Sequence, residues 1–375
     1  MSLQWKIGVE IELLAPVGKS RLHLAKAYAD LLQGSIRPFF HPDAEPSKVP
    51  GQKLFYNLTP AFEICDSEGR GLLRLLDDIT LQSDLNRAAS PQPGWYRLLS
   101  DDPRLLRLVA RHSNPALPIE ESLRQVGDIF GTEPQLDESG LVRLTDLAGA
   151  SIAMAAPLPG ERERPCEVVT CPLEQQQSEF LSMVLQMARE LDFQIPQEGA
   201  VHLHFDAKPL QNPKVLTRLV RLLSFYRLWL RRLMKTNPRC RRLGGWAEEI
   251  TALLLSDEMQ TLTWEQLCER LAEPALLPKL TKYCDFNLKN LFFPPRGKET
   301  LEIRILPVTL EVEPLLEAAA LFEAMLVACC ELEKPLELTG QEGSRESVQV
   351  LFDWLPLEES MRKRWLERWK QTIGE

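Results

Sequence analysis

Positive charge is in short supply in this chain. Its 44 Lys and Arg face 53 Asp and Glu, a formal net charge of −9. That balance excludes a protein that binds nucleic acid through general basicity. No apolar run approaches the ~18 residues that a membrane-spanning helix needs, so no membrane partner is expected. Histidine is scarce, with five in 375 residues, so any close pair stands out. Cysteine occurs eight times, but never as CxxC. The opening MSLQWKIGVE enters a strand pattern at once, without the regions of an export signal. Reduced thiols in a cytoplasmic protein are therefore expected, most of them small core residues. GxGxxG, HExxH and GxSxG are absent too, which removes the usual support for a dinucleotide fold, a zincin or a serine hydrolase. Val17-Gly18-Lys19-Ser20 imitates the end of a P-loop. The first glycine of that pattern would fall at Leu13, inside a strand, so no phosphate-cradling loop is expected. Repeats and low-complexity segments are also missing.

What is present is a chain long enough for two or three domains, or for one large α+β domain. Residues 4–14 read as a strand, followed by a helix from Arg21 to about Gln33 behind the candidate cap Ser20. Residues 36–65, with several prolines, read as short strands and loops, and 71–85 reads equally as strand or helix. A short strand is expected at 95–99 and a helix at 101–111. Residues 112–165, rich in proline and acidic residues, are a candidate lid or insertion. A β-rich run at 167–170, a helix at 175–191 and a strand at 201–206 follow. A long helix is expected over 213–235, with further helices at 247–258 and 263–272, so 207–280 reads as a helical insertion. Arg218, Arg221, Arg227, Arg231 and Arg232 spread around the long helix and are expected to pair with acidic residues. Strands at 283–288 and 300–306 and a helix at 313–332 complete a body spanning 1–338. Residues 339–375 read as a helical tail, whose Trp354, Trp365 and Trp369 offer an apolar face for a homo-oligomer.

Three stretches alternate apolar and polar residues and gather chemistry on the polar face. Trp5, Ile7, Val9, Ile11 and Leu13 oppose Glu10 and Glu12. Val201, Leu203 and Phe205 oppose His202, His204 and Asp206, while Leu301, Ile303 and Ile305 oppose Glu302 and Arg304. Same-face neighbours on a strand stand ~7 Å apart, so Glu10 and Glu12 could bind neighbouring metal ions, or one ion and its partner group. Carboxylates suit Mg²⁺ and Mn²⁺, and imidazole can ligate a metal or donate to phosphate. An arginine grips phosphate oxygens in pairs. Taken singly, each signal is also what a solvated strand face or a surface ion pair would give. Glu167, in CEVVTCP, is a further acidic candidate. Arg296 and Lys298, in the loop before the last strand, are candidates for holding phosphate.

The order of these segments carries more than any one of them. GVEIEL (8–13), EVVTCPL (167–173), GAVHLHFD (199–206), FNLKNLF (286–292) and TLEIRILPVTLE (300–311) together resemble the amidoligase family. That family belongs to the carboxylate–amine ligase superfamily, with glutamine synthetase and the glutamate–cysteine ligases. The resemblance covers most of 4–330, loosely over 35–165, and omits the C-terminal tail. It implies an α+β fold, a curved antiparallel sheet of glutamine-synthetase type with helices on its outer face. It implies ATP and Mg²⁺ (or Mn²⁺) in the concave face, and an amide or isopeptide bond made through an acyl phosphate. By the same resemblance Glu10, Glu12, Glu167, His202 and Glu302 are metal ligands. His204 lies nearer phosphate or substrate, and Arg304 steadies the transferred phosphate. The asparagine–glycine pair that precedes the histidines in glutamine synthetase proper is missing, so specificity for ammonia and glutamate does not carry over. A third acidic position between Glu12 and Glu167 is unclear. Glu63, Asp77, Asp78 and Asp84 compete for it, with Asp78 first.

The expected activity is that of an ATP-dependent ligase joining a carboxylate to an amine, on an amino acid or peptide-like substrate. Its rivals are a metal-dependent amide hydrolase on the same sheet and a binding protein without turnover. Arg304 separates the first rival, because a phosphate-gripping arginine has little purpose in plain hydrolysis.

Overall fold

A computed structural model describes residues 3–46, 54–295, 298–332, 334, 336–338 and 340–373. In chain order its strands are β1 (Ile7–Leu14), β2 (Ser35–Pro46), β3 (Leu54–Cys65), β4 (Gly71–Leu76), β5 (Tyr96–Leu99) and β6 (Gln135–Leu136). They continue as β7 (Val142–Thr145), β8 (Ser151–Pro157), β9 (Pro165–Thr170), β10 (Ala200–Asp206), β11 (Phe286–Asn287) and β12 (Thr300–Pro307). The helices are α1 (Arg21–Leu31), α2 (Pro103–His112), α3 (Arg124–Phe130), α4 (Gln177–Glu190), α5 (Pro213–Leu233) and α6 (Glu248–Leu254). After them come α7 (Trp264–Leu271), α8 (Lys289–Phe292), α9 (Val312–Glu331), α10 (Arg345–Trp354) and α11 (Glu359–Ile373). The architecture is thus mixed helix and antiparallel sheet. Among the described residues no helix is long and apolar enough to cross a membrane. All eight cysteines are free thiols, and Cys65, Cys166, Cys284 and Cys329 are buried.

The chain divides into two compact units. The first holds residues 1–10, 172–185 and 199–375, and the second holds 11–171 and 186–198. β1 contributes its first half to one and its second half to the other.

In the first unit the strand order is β11-β12-β10-β1. β10 and β12 run antiparallel, with Leu203 opposite Ile303, His204 opposite Glu302 and Phe205 opposite Leu301. Val201, Leu203, Phe205, Leu301, Ile303 and Ile305 are fully buried, so the alternation seen in the sequence is the core face. The ladder slips between Val201, opposite Leu306, and Leu203, opposite Ile303. One residue, His202, therefore faces two, Arg304 and Ile305. A bulge of this kind bends a strand and re-aims its side chains. β11 then sets Asn287 opposite Glu302.

Helices complete the unit. α5 starts on Pro213 behind Asn212, whose side chain accepts from the Lys214 and Val215 amides. Its apolar side, including Leu219, Leu223, Tyr226 and Leu230, is buried, and it packs on α9. α9 is buried nearly all round, as expected of a helix at the centre of a core. The C-terminal segment 339–375 belongs to this unit. Glu317 of α9 accepts from Arg364 at 2.7 Å and also from Arg368, while Trp365 and Trp369 are buried.

In the second unit the order is β1-β9-β4-β3-β5-β8-β7-β6, with β2 paired to β3 beside this path. Residues 36–46 and 54–65 are not short strands and loops. They form two long antiparallel strands, paired from Ser35–Cys65 to Pro46–Leu54. Their prolines are tolerated for lack of a neighbour needing their N–H. Pro38 and Pro42 lie on the edge strand β2. Pro60 falls between Leu58, where β5 pairs, and Phe62, where β4 begins. The candidate lid, 112–165, carries α3 and β6 to β8. Its Leu123, Val126, Val142, Leu144, Ile152 and Ala153 join Phe40, Leu58, Tyr96 and Leu98 in one core cluster.

Candidate metal and phosphate site

The polar residues of β1, β10 and β12 in the first unit converge. One ligand-capable atom each from Glu10, His202 and Glu302 lies within 4.8 Å of the others. His202 Nδ1 is 3.2 Å from Glu10 Oε2 and 3.5 Å from Glu302 Oε1. His204 Nε2 is 3.0 Å from Glu10 Oε1. The other ring nitrogen of His204, Nδ1, shares a hydrogen bond of 3.1 Å with Thr300 Oγ1. Gly8 lies beside the second imidazole, where a Cβ would make ordinary van der Waals contact with the His204 Cβ at 3.5 Å.

Glu302 is held from two sides. Arg304 Nη1 donates to its Oε1 at 2.5 Å, and Asn287 Nδ2 donates to its Oε2 at 2.6 Å. Asn287 Oδ1 accepts from the Lys289 amide at 2.8 Å, which fixes which end of the side-chain amide faces the carboxylate. Behind Arg304, its backbone N–H donates to Asp285 O at 3.0 Å. The fully buried Asp285 carboxylate receives Arg227 Nη1 at 3.1 Å and the Gly244 amide at 2.9 Å.

The electrostatics follow from this packing. Burial raises the carboxyl pKa of Glu10, but the positive charge of His204 and a hydrogen bond from His202 outweigh it and hold the group well below its ordinary range. Glu302 behaves alike: burial raises it, while His204, Arg304 and His202 together bring it below the usual value. Burial works against a proton on His204, yet Glu10 and Glu302 overcome that and raise its pKa above the ordinary 6.5. Lys298 opposes them, so its charge is felt at this ring.

The donor set fits a divalent cation. Two ionised carboxylates and an imidazole meet in a buried place, and the like charges of Glu10 and Glu302 repel each other, which a cation between them would relieve.

Of the residues singled out in the sequence, Glu10, His202, His204, Glu302 and Arg304 come together in the first unit. Lys298 is exposed but acts on the site electrostatically. Arg296 lies outside the described residues. Glu12 and Glu167 stand in the second unit. Glu12 is two residues beyond Glu10 along β1 and 5% exposed, and Glu167 is half-buried on β9 opposite Leu76. The four competing acidic residues of that unit are all engaged. Glu63 binds Arg37 and Arg74. Asp77 binds Arg162 at 2.6 Å, Asp78 accepts from Thr80, and Asp84 accepts from Gln197. Sequence reasoning passed over Asn287 and Thr300. Asparagine in a two-residue strand looks like a turn residue, and only the pairing with β12 gives it a partner.

A family model described as "putative amidoligase enzyme" matches residues 3–325. Nothing matches this chain among the curated proteins or among the solved structures.

Proposed function

The chain belongs to the amidoligase family, enzymes of the ligase kind, and from that premise we propose that it joins a carboxylate to an amine with ATP and Mg²⁺ or Mn²⁺. The observation that carries this reading is the meeting of Glu10, His202 and Glu302 beside Arg304. In this reading Glu10, His202 and Glu302 hold an ion. Such ions neutralise phosphate charge and orient the oxygens of an in-line displacement. The glutamine-synthetase-like curvature of the sheet belongs to the same proposal.

Each remaining role follows from a charge. A carboxylate is a poor electrophile, so its oxygen must first attack the γ-phosphorus of ATP. ADP leaves, and an acyl phosphate forms. Arg304 would steady the transferred phosphoryl group, with Lys298 and Arg296 of the preceding loop on its other oxygens. His204, whose pKa burial lowers but Glu10 and Glu302 raise above its ordinary value, lies close by, nearer phosphate or substrate in this reading. The amine nitrogen then attacks the acyl carbon and gives up a proton, and inorganic phosphate departs with the C–O electron pair. An amino acid or peptide-like molecule is the proposed substrate.

A thermal-shift series tests the reading. ATP with Mg²⁺ should stabilise the protein, by ~2.7 kcal/mol at a hundredfold excess over Kd. Phosphate release should then appear with some member of an amino-acid panel. Stabilisation by metal with no further gain from ATP would point instead to a metal-dependent amide hydrolase, and a response to neither would remove the ligase.

Asn287→Ala should weaken divalent-metal affinity by ~10–100-fold, the range for loss of a group that orients a ligand. A Mn²⁺ titration measures it; unchanged affinity would mean that Glu302 needs no such support.

A further inference from the structure

A second place in the first unit is shaped to hold a ligand. A cavity of about 250 Å³ opens between α5, α6 and the loop before α6, lined by Ser224, Arg227, Gly245, Trp246, Thr251 and Phe286. We propose that it binds a small carboxylate bearing a flat apolar group.

Charge is the first argument. Arg227 Nη1 lies 3.1 Å from Asp285 Oδ2, and Arg231 Nη1 lies 3.8 Å from Asp285 Oδ1. Two guanidinium groups thus share one buried carboxylate, which leaves a net positive charge beside the cavity. Arg227 belongs to its lining, and a guanidinium has five N–H donors, of which Asp285 occupies one. Carboxylates suit that fork.

Shape is the second. A Cβ at Gly245 would stand 3.5 Å from Arg227 Nε, so bare backbone here leaves the guanidinium unshielded. Trp246 and Phe286 form an apolar wall, with ring centroids 6.1 Å apart and planes at 51°. Trp246 Nε1 donates to Phe286 O at 2.6 Å, which fixes the indole and leaves its ring as the surface offered. Ser224 and Thr251 complete the lining. The volume suits a molecule of about amino-acid size.

Calorimetric titration of the full chain with benzoate, acetate and benzyl alcohol tests this. Benzoate should bind saturably, and acetate and benzyl alcohol about tenfold more weakly or worse. Arg227→Gln should cost benzoate about tenfold, and so should Ser224→Leu, which fills the cavity without touching the ion pair. If Arg227→Gln does not fold, Ser224→Leu and the two partial ligands decide. Absence of saturable benzoate binding overturns the site, as does unchanged binding in either folded variant. Acetate or benzyl alcohol binding as tightly as benzoate overturns the ligand class.

Discussion

Glu302→Gln should abolish ATP turnover and lower divalent-metal affinity by more than ~100-fold, beyond what loss of an orienting neighbour costs. The glutamine keeps the shape of the side chain and removes its charge. Two consequences follow together. The ion loses one of two anionic ligands, and Arg304 loses the carboxylate it holds at 2.5 Å. Because Glu302 is buried, its partners have no solvent to replace it, and breaking such a pair costs roughly 3–5 kcal/mol. Part of that cost is absent here, since Asn287 can still bond a side-chain oxygen. The fold should survive, because Leu301, Ile303 and Ile305 on the opposite face are untouched. A Mn²⁺ titration, a phosphate-release assay and a melting curve on one preparation measure all three. Near-normal phosphate release from this variant, with wild-type protein active, would remove Glu302 from the site.

Arg304→Ala should separate binding from chemistry. Metal affinity should fall no further than in Asn287→Ala, by ~10–100-fold at most, because Glu10, His202 and Glu302 remain. Turnover should fall by ~10³-fold or more, the scale on which an arginine stabilises a phosphoryl transition state. If both fall in parallel, Arg304 serves Glu302 and not phosphate. If neither falls, the proposed phosphoryl chemistry loses its arginine.

How far the sequence went depends on the range of the interaction. β1, β10 and β12 were legible because alternation is local and one face is wholly buried. The helices α1, α5 and α9 were legible for the same reason at helical spacing. The β2–β3 pair was not, because its prolines break the local pattern and only strand neighbours show where a missing N–H does no harm. The bulge opposite His202 was invisible, since a slip in register belongs to two strands at once. It nonetheless sets which β12 residues His202 faces. Residues 71–85 resolve into β4 and then a run of turns in which Asp77 meets Arg162. Of the Arg-rich helix, the expected pairing with acidic residues holds at Arg227 and Arg231, which meet Asp285. Arg218 instead donates to the Cys329 and Leu332 carbonyls at the end of α9.

Pulsed electron-paramagnetic resonance of the Mn²⁺-loaded protein reaches the core of this account most directly. The predicted spectrum carries one histidine nitrogen coupled to the ion, and that coupling vanishes in His202→Ala while Glu10 and Glu302 still retain weaker metal. A Mn²⁺ signal without nitrogen coupling, or one that His202→Ala leaves unaltered, would contradict it.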